Sequence, residues 1–91
     1  MATIEGLEKK IKEVEGFDVK LMHRDGRDVH GKKKGVALYP FTRRAPDKLT
    51  VERFRRLRIE KKFDRYLCAV LLGNGTEAQG NMKLDRVRAS Y

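Results

Sequence analysis

At 91 residues the chain is long enough for one domain and one modest core, and its lone cysteine, Cys68, excludes an intramolecular disulfide framework. No stretch approaches the roughly 20 apolar residues of a membrane span, and the N-terminus lacks the basic-then-apolar pattern of a signal peptide, so a soluble, cytoplasmic protein is expected. The formal net charge is +9 and sits mid-chain, with nine basic and four acidic residues over 17–48 and seven and three over 49–65. A localised positive field suits phosphate backbones, anionic lipid head groups or acidic protein faces.

Ile4, Leu7, Ile11 and Val14 fall on one helical stripe, with Thr3 suited to the N-cap and Gly16 to the C-terminal stop. This predicts a helix over residues 4–15 whose polar face is nearly neutral and which reads as scaffold. Phe17, Val19 and Leu21 then alternate with polar residues in strand period, and Asp25-Gly26 signals a two-residue hairpin turn. That register sets His23 opposite Asp28 and puts His30 on the same sheet face. Two imidazoles and a carboxylate suit metal binding or proton transfer, but no further carboxylate or cysteine completes a site, and a solvated hairpin tip is the preferred reading.

Lys32, Lys33 and Lys34 lie between Gly31 and Gly35, a loop that presents its ammonium groups to solvent and could straddle a phosphate backbone. Residues 36–39 read as a short third strand closed by Pro40, and residues 42–48 as a turn-rich connector carrying Arg43 and Arg44. Tyr39 and Phe41 beside those arginines give the mix of aromatic and basic side chains that stacks on exposed bases, with core packing expected of at least one of them.

The stretch from Thr50 to Phe63 reads as a cationic helix with four arginines and two lysines. At 100° per residue Val51, Phe54 and Leu57 share a face, but Arg58 and Lys61 fall on it one turn later while Ile59 and Phe63 lie well around the cylinder. Either the helix ends or bends near Arg58, or those two stems run along the core with their charges at its edge. Arg53 and Arg56 point outward under both readings, with Arg55 on the flank. The run over 65–72 is apolar on both faces and is predicted to be the central, doubly covered strand, with Cys68 as a small buried hydrophobe. Asn74-Gly75 signals a second hairpin returning as an edge strand over 76–80. The spacing of Leu84, Val87 and Tyr91 predicts a short C-terminal helix with Asn81 as its cap and Lys83, Arg86 and Arg88 upon it.

The fold class this defines is α+β, two-layered, with a mostly antiparallel sheet built from two helix–β-hairpin units and both helices on one face. Asp25-Gly26 superposes on Asn74-Gly75, Thr3-Ile4-Glu5 on Thr50-Val51-Glu52, and Phe17-Asp18 on Phe63-Asp64, with shifts that drift by a few residues. Two readings stay open: internal duplication of residues 3–41 and 50–91 within the single domain 1–91, or two segments whose shared turns demand the same residues. The strand–Asp-Gly-Arg–strand–Gly pattern from Val19 to Gly31, after an amphipathic helix, resembles the first motif of Sm-like RNA-binding barrels. The helix-forming segment before the next strong strand departs from that barrel, and no residue role is carried over from it.

The residues give no glycine-rich phosphate loop with its lysine and hydroxyl, no Cys/His metal spacing, and a single serine, Ser90. The expectation is therefore a non-enzyme without metal or cofactor. The leading reading is a small nucleic-acid-binding protein, DNA or RNA undecided, which contacts phosphates through Arg53, Arg55 and Arg56 on the cationic helix, Lys32, Lys33 and Lys34 in the loop, and Arg43 and Arg44 in the connector. Base-reading amides are scarce: Asn74, Gln79 and Asn81. The alternative is a non-catalytic interaction module that docks a basic face on an acidic protein, or a homodimer formed through an edge strand. A membrane-surface helix is disfavoured because the cationic helix has few bulky apolar residues.

Overall fold

The computed structural model describes residues 3–25, 27, 38–63 and 66–91. Helix α1 (Ile4–Glu15) runs over the expected residues for the expected reasons. Thr3 Oγ1 accepts the Gly6 N–H at 3.0 Å, and Gly16 ends the helix in the left-handed region at φ 84°, its N–H donating to Lys12 O. Ile4, Leu7 and Ile11 form its buried stripe.

Strand β1 (Val19–His23) pairs antiparallel with β2 (Tyr66–Val70), in a register from Val19↔Val70 to His23↔Tyr66. On the other edge of β2 the Ala78 N–H donates to Val70 O, and Leu71 bridges Glu77. Among the described residues the sheet stops at two strands, so β2 is covered, with Tyr66, Cys68, Ala69 and Val70 buried, but is not the expected central strand between two others. The expected edge strand over 76–80 is reduced to that single bridge. The expected third strand does not extend over Leu38 and Tyr39, which lie in irregular structure, and its residues 36 and 37 are outside the described residues.

Both turns enclose three residues between their bonded pair, not two. The His23 N–H donates to Arg27 O and the Leu72 N–H to Thr76 O, each at 2.8 Å. Inside the turns Asp25 Oδ1 accepts the Arg27 N–H and Asn74 Oδ1 the Thr76 N–H, both at 3.0 Å. These side-chain turns displace the simple type I′ geometry, so His23 stands across from Arg27 and not Asp28. Asp28 and His30 lie outside the described residues.

Helix α2 (Val51–Phe54) continues directly into π-helical turns over Arg55–Glu60. This accounts for the slipped pattern at Arg58. A π-turn closes at i+5 and adds one residue per turn, so Ile59, five residues after Phe54, returns to the face of Phe54. Ile59 is completely buried, whereas Leu57, expected on that face, is 44% exposed. Phe54 meets Phe17 edge-to-face at 5.1 Å. The chain closes with α3 (Leu84–Ala89), whose N-cap is Lys83, without a side-chain cap bond, and not Asn81. The result is a small α+β domain with three helices and a two-stranded antiparallel sheet among the described residues. No helix among them is long and apolar enough to cross a membrane.

Among the described residues one charged side chain is fully buried: Glu15, at the end of α1. Its carboxylate accepts the Tyr39 hydroxyl (2.6 Å), the Ala45 N–H (2.7 Å), Arg58 Nη1 (2.6 Å) and Arg88 Nη2 (3.3 Å). Arg88 also donates from Nε to the Glu15 carbonyl at 2.7 Å, satisfying an acceptor left open at the helix end, and pairs with Asp47. Arg58 donates to Arg43 O and stacks over the Phe41 ring at 4.2 Å. One carboxylate thereby joins α1, the connector, the π-turns and α3. From its sequence the polar face of α1 is expected to be nearly neutral surface, but its last residue, Glu15, is buried and tied to the rest of the fold.

Candidate nucleic-acid interface

Helix α2 is held by its own chain at its first turn. Thr50 Oγ1 accepts the Arg53 N–H at 3.3 Å, while the Val51 and Glu52 N–H groups donate to Met82 O and Gly80 O at 2.8 and 2.9 Å. These amides are used internally, so attraction for an anion at this end has to come from side chains. With Val51, Phe54 and Ile59 facing the core, Arg53, Arg56 and Leu57 stand outward and exposed. Arg56 reaches back to Glu52 at 3.2 Å, an exposed i,i+4 pair worth a few tenths of a kcal/mol. Arg53 forms no ion pair among the described residues.

Arg55 departs from the expected set of outward cations. It is half-buried and donates from Nη1 to Cys68 O at 3.4 Å, on the edge of β2 that β1 leaves open. Burial pushes the Cys68 thiol up to about 12, with the neighbouring Arg55 charge opposing, so the thiol is protonated and inert at neutral pH.

Arg43 and Arg44 are exposed on the connector. Arg43 is tied to α2 through the carbonyl that Arg58 binds, and Arg44 lies 3.8 Å from Asp47 in an exposed pair of little energetic weight. Lys32, Lys33 and Lys34 are outside the described residues. The neighbouring aromatics are engaged within the fold. Tyr39 is buried with its hydroxyl on Glu15, which raises its pKa far above the usual phenol range, through burial first and the carboxylate second. Phe41 is half-buried beneath Arg58. Tyr91 is exposed along its ring, but its hydroxyl accepts the Asp18 N–H and donates to Leu71 O.

The structure adds residues that the sequence pattern did not join to α2. Thr50 bridges Lys83, and the loop at 80–82 caps the first turn of α2, which brings Lys83 to the end of the helix that bears Arg53; Arg86 follows, exposed, in the first turn of α3. No periodicity links positions 30 residues apart in different elements, so only the bridge reveals the grouping. Between this loop and α3 lies an open groove of about 390 Å³ lined by Gln79, Asn81, Met82, Lys83, Asp85 and Arg86.

A second groove, about 560 Å³, runs between α1 and β1 with Lys9, Lys12 and Lys20 on its rim. Two of its charges are committed: Lys12 pairs with Asp18 at 3.3 Å, and Glu8 Oε2 accepts the Leu21 N–H at 2.8 Å. Desolvation raises the Glu8 pKa above the ordinary value of 4.5 against the opposing effect of that N–H bond. Among the described residues no three His, Cys, Asp or Glu side chains converge as a metal-ligand set. No family model, curated protein or solved structure matches this chain.

Proposed function

We propose that this is a small, non-catalytic nucleic-acid-binding protein that grips the phosphate backbone at the first turn of α2. The observation that carries the reading is the Thr50↔Lys83 bridge, which sets Lys83 beside the start of the helix that exposes Arg53 and Arg56, with Arg86 exposed in the first turn of α3 and Glu52 and Asp85 as the acidic residues interspersed with them. Both carboxylates are engaged, Glu52 by Arg56 and Asp85 Oδ1 by the Arg86 N–H at 2.8 Å. Arg43 and Arg44 extend the field along the connector, and Lys32, Lys33 and Lys34 add charge in the loop. Affinity would come chiefly from counterion release, so the logarithm of the binding constant should fall linearly with the logarithm of salt.

The test is anisotropy of labelled duplex DNA, single-stranded DNA and RNA at several salt concentrations. Binding with a slope of roughly −4 on duplex is expected if about four or five phosphates are neutralised. Arg53→Ala/Arg56→Ala should flatten that slope by about two units with the fold intact, because both side chains are exposed. Absence of binding to all three polymers at low salt overturns the proposal. It would then favour an acidic protein partner, for which Leu57, exposed between Arg53 and Lys61 on the helix surface, supplies an apolar anchor.

The finer architecture is two copies of one helix–hairpin unit, 3–41 and 50–91. Several local features recur in support. Thr3 and Thr50 each cap a helix through Oγ1. Five residues on, Glu8 and Arg55 each reach an outward-facing backbone group of their own unit's strand, Leu21 N–H and Cys68 O. Asp25 Oδ1 and Asn74 Oδ1 each accept the N–H two residues on. Lys20 pairs with Ala69 across the sheet, and those two are as far apart in sequence as Asp25 and Asn74, as a two-fold between the units would require.

A further inference from the structure

The groove at the start of α3 carries two of the three side-chain amides that can read a base, Gln79 and Asn81. Both residues are exposed, and neither amide makes a hydrogen bond among the described residues. Met82 supplies an apolar, half-buried wall, and Lys83 and Arg86 stand at the rim. The loop that holds these residues is fixed to the helix by the bonds to Val51 and Glu52 and by the Thr50↔Lys83 bridge. A volume of about 390 Å³ falls within the range of small-ligand sites, about 300–1,000 Å³.

Its shape selects the kind of nucleic acid. A duplex is read by a convex helix or ribbon entering the major groove, whereas a concave site receives a base splayed from a single strand. Each amide offers a donor and an acceptor side by side, the pattern that complements the amino group and adjacent ring nitrogen of adenine. The cations at the rim suit the flanking phosphates. We propose that this groove is a subsite for one unpaired adenine of a single-stranded nucleic acid, with Gln79 and Asn81 reading the base edge and Lys83 and Arg86 holding the backbone. This rests on the phosphate-binding reading of α2 and names what that site selects.

The experiment uses the full chain and labelled oligouridine carrying one central adenine, cytosine or guanine, beside unmodified oligouridine and duplex DNA. The adenine-bearing strand should bind about tenfold more tightly than oligouridine, the equivalent of one good base contact. Gln79→Ala/Asn81→Ala should erase that preference and leave duplex affinity and the salt slope unchanged. Lys83→Ala/Arg86→Ala should weaken every strand alike and reduce the slope by about two. Equal binding of all the strands, a preference that survives the double amide variant, or a guanine preference lost with Arg86 alone would overturn the subsite while leaving phosphate binding in place. No binding to any polymer would overturn both.

Discussion

A buried carboxylate is costly unless its oxygens are filled, and Glu15 has four donors on it from three distant parts of the chain. Burial of such a cluster is weak evidence for net stabilisation, because desolvation opposes the attraction, but removal of one charge leaves the others uncompensated. Glu15→Ala is therefore expected to cost about 3–5 kcal/mol, or to prevent folding, as measured by urea denaturation. Tyr39→Phe, which removes one hydrogen bond to a charged group, should cost about 1.5–3 kcal/mol. Near-wild-type stability of both variants would mean that the cluster does not organise the fold. Glu8 provides the opposite case. Its folded pKa is raised, so the folded state holds this proton more readily than the unfolded chain, and stability contributed at this site falls as pH rises through the window just above 4.5. Glu8→Gln keeps an acceptor for the Leu21 N–H without the charge. It should remove that part of the pH dependence and melt no lower than wild type at pH 7.

The second helix turns on which residue faces inward. On an unbroken α-helix Leu57 would be buried and Ile59 displaced; with π-turns over Arg55–Glu60 the two exchange roles. Leu57→Lys is expected within about 0.5 kcal/mol of wild type, whereas Ile59→Lys buries an unpaired ammonium and should abolish cooperative unfolding. The reverse outcome in thermal melts would restore the α-helical register. The sequence carried the break in pattern at Arg58 but not its resolution, because a π-turn has no composition of its own. Helix α1 was legible to the residue, since its stripe, cap and stop are all local signals, and the apolar run over 65–72 announced a buried strand, formed over Tyr66–Val70, but not its place in a two-stranded sheet. The ties of Arg88 to Glu15 and of Lys83 to Thr50 were not, because they join residues that only the tertiary fold brings together. Arg55 illustrates the same limit at the site. Its charge marked it as a surface ligand, yet the open edge of β2 takes its guanidinium. Glu8 does the same from α1 for the other strand, where its carboxylate accepts the Leu21 N–H.

At the scale of the whole molecule, the sheet is the seam between the two proposed units, since β1 belongs to one and β2 to the other. The turn bonds of the two segments lie outside the β1–β2 ladder, so whether the segments open together or apart is a property separate from that pairing. Hydrogen exchange reads this directly, because an amide is released only by the opening that frees its bond. The His23 and Leu72 amides occupy corresponding turns, donating to Arg27 O and Thr76 O. If the units are equivalent and open together, their protection factors should agree within about tenfold, a difference of about 1.4 kcal/mol, and Glu15→Ala should lower both in parallel. Protection of Leu72 far above His23 would instead make β2, α2 and α3 a self-standing core against which the first segment docks. The recurrence of caps and turns would then follow from the local demands of helix starts and Asx turns, without a shared origin.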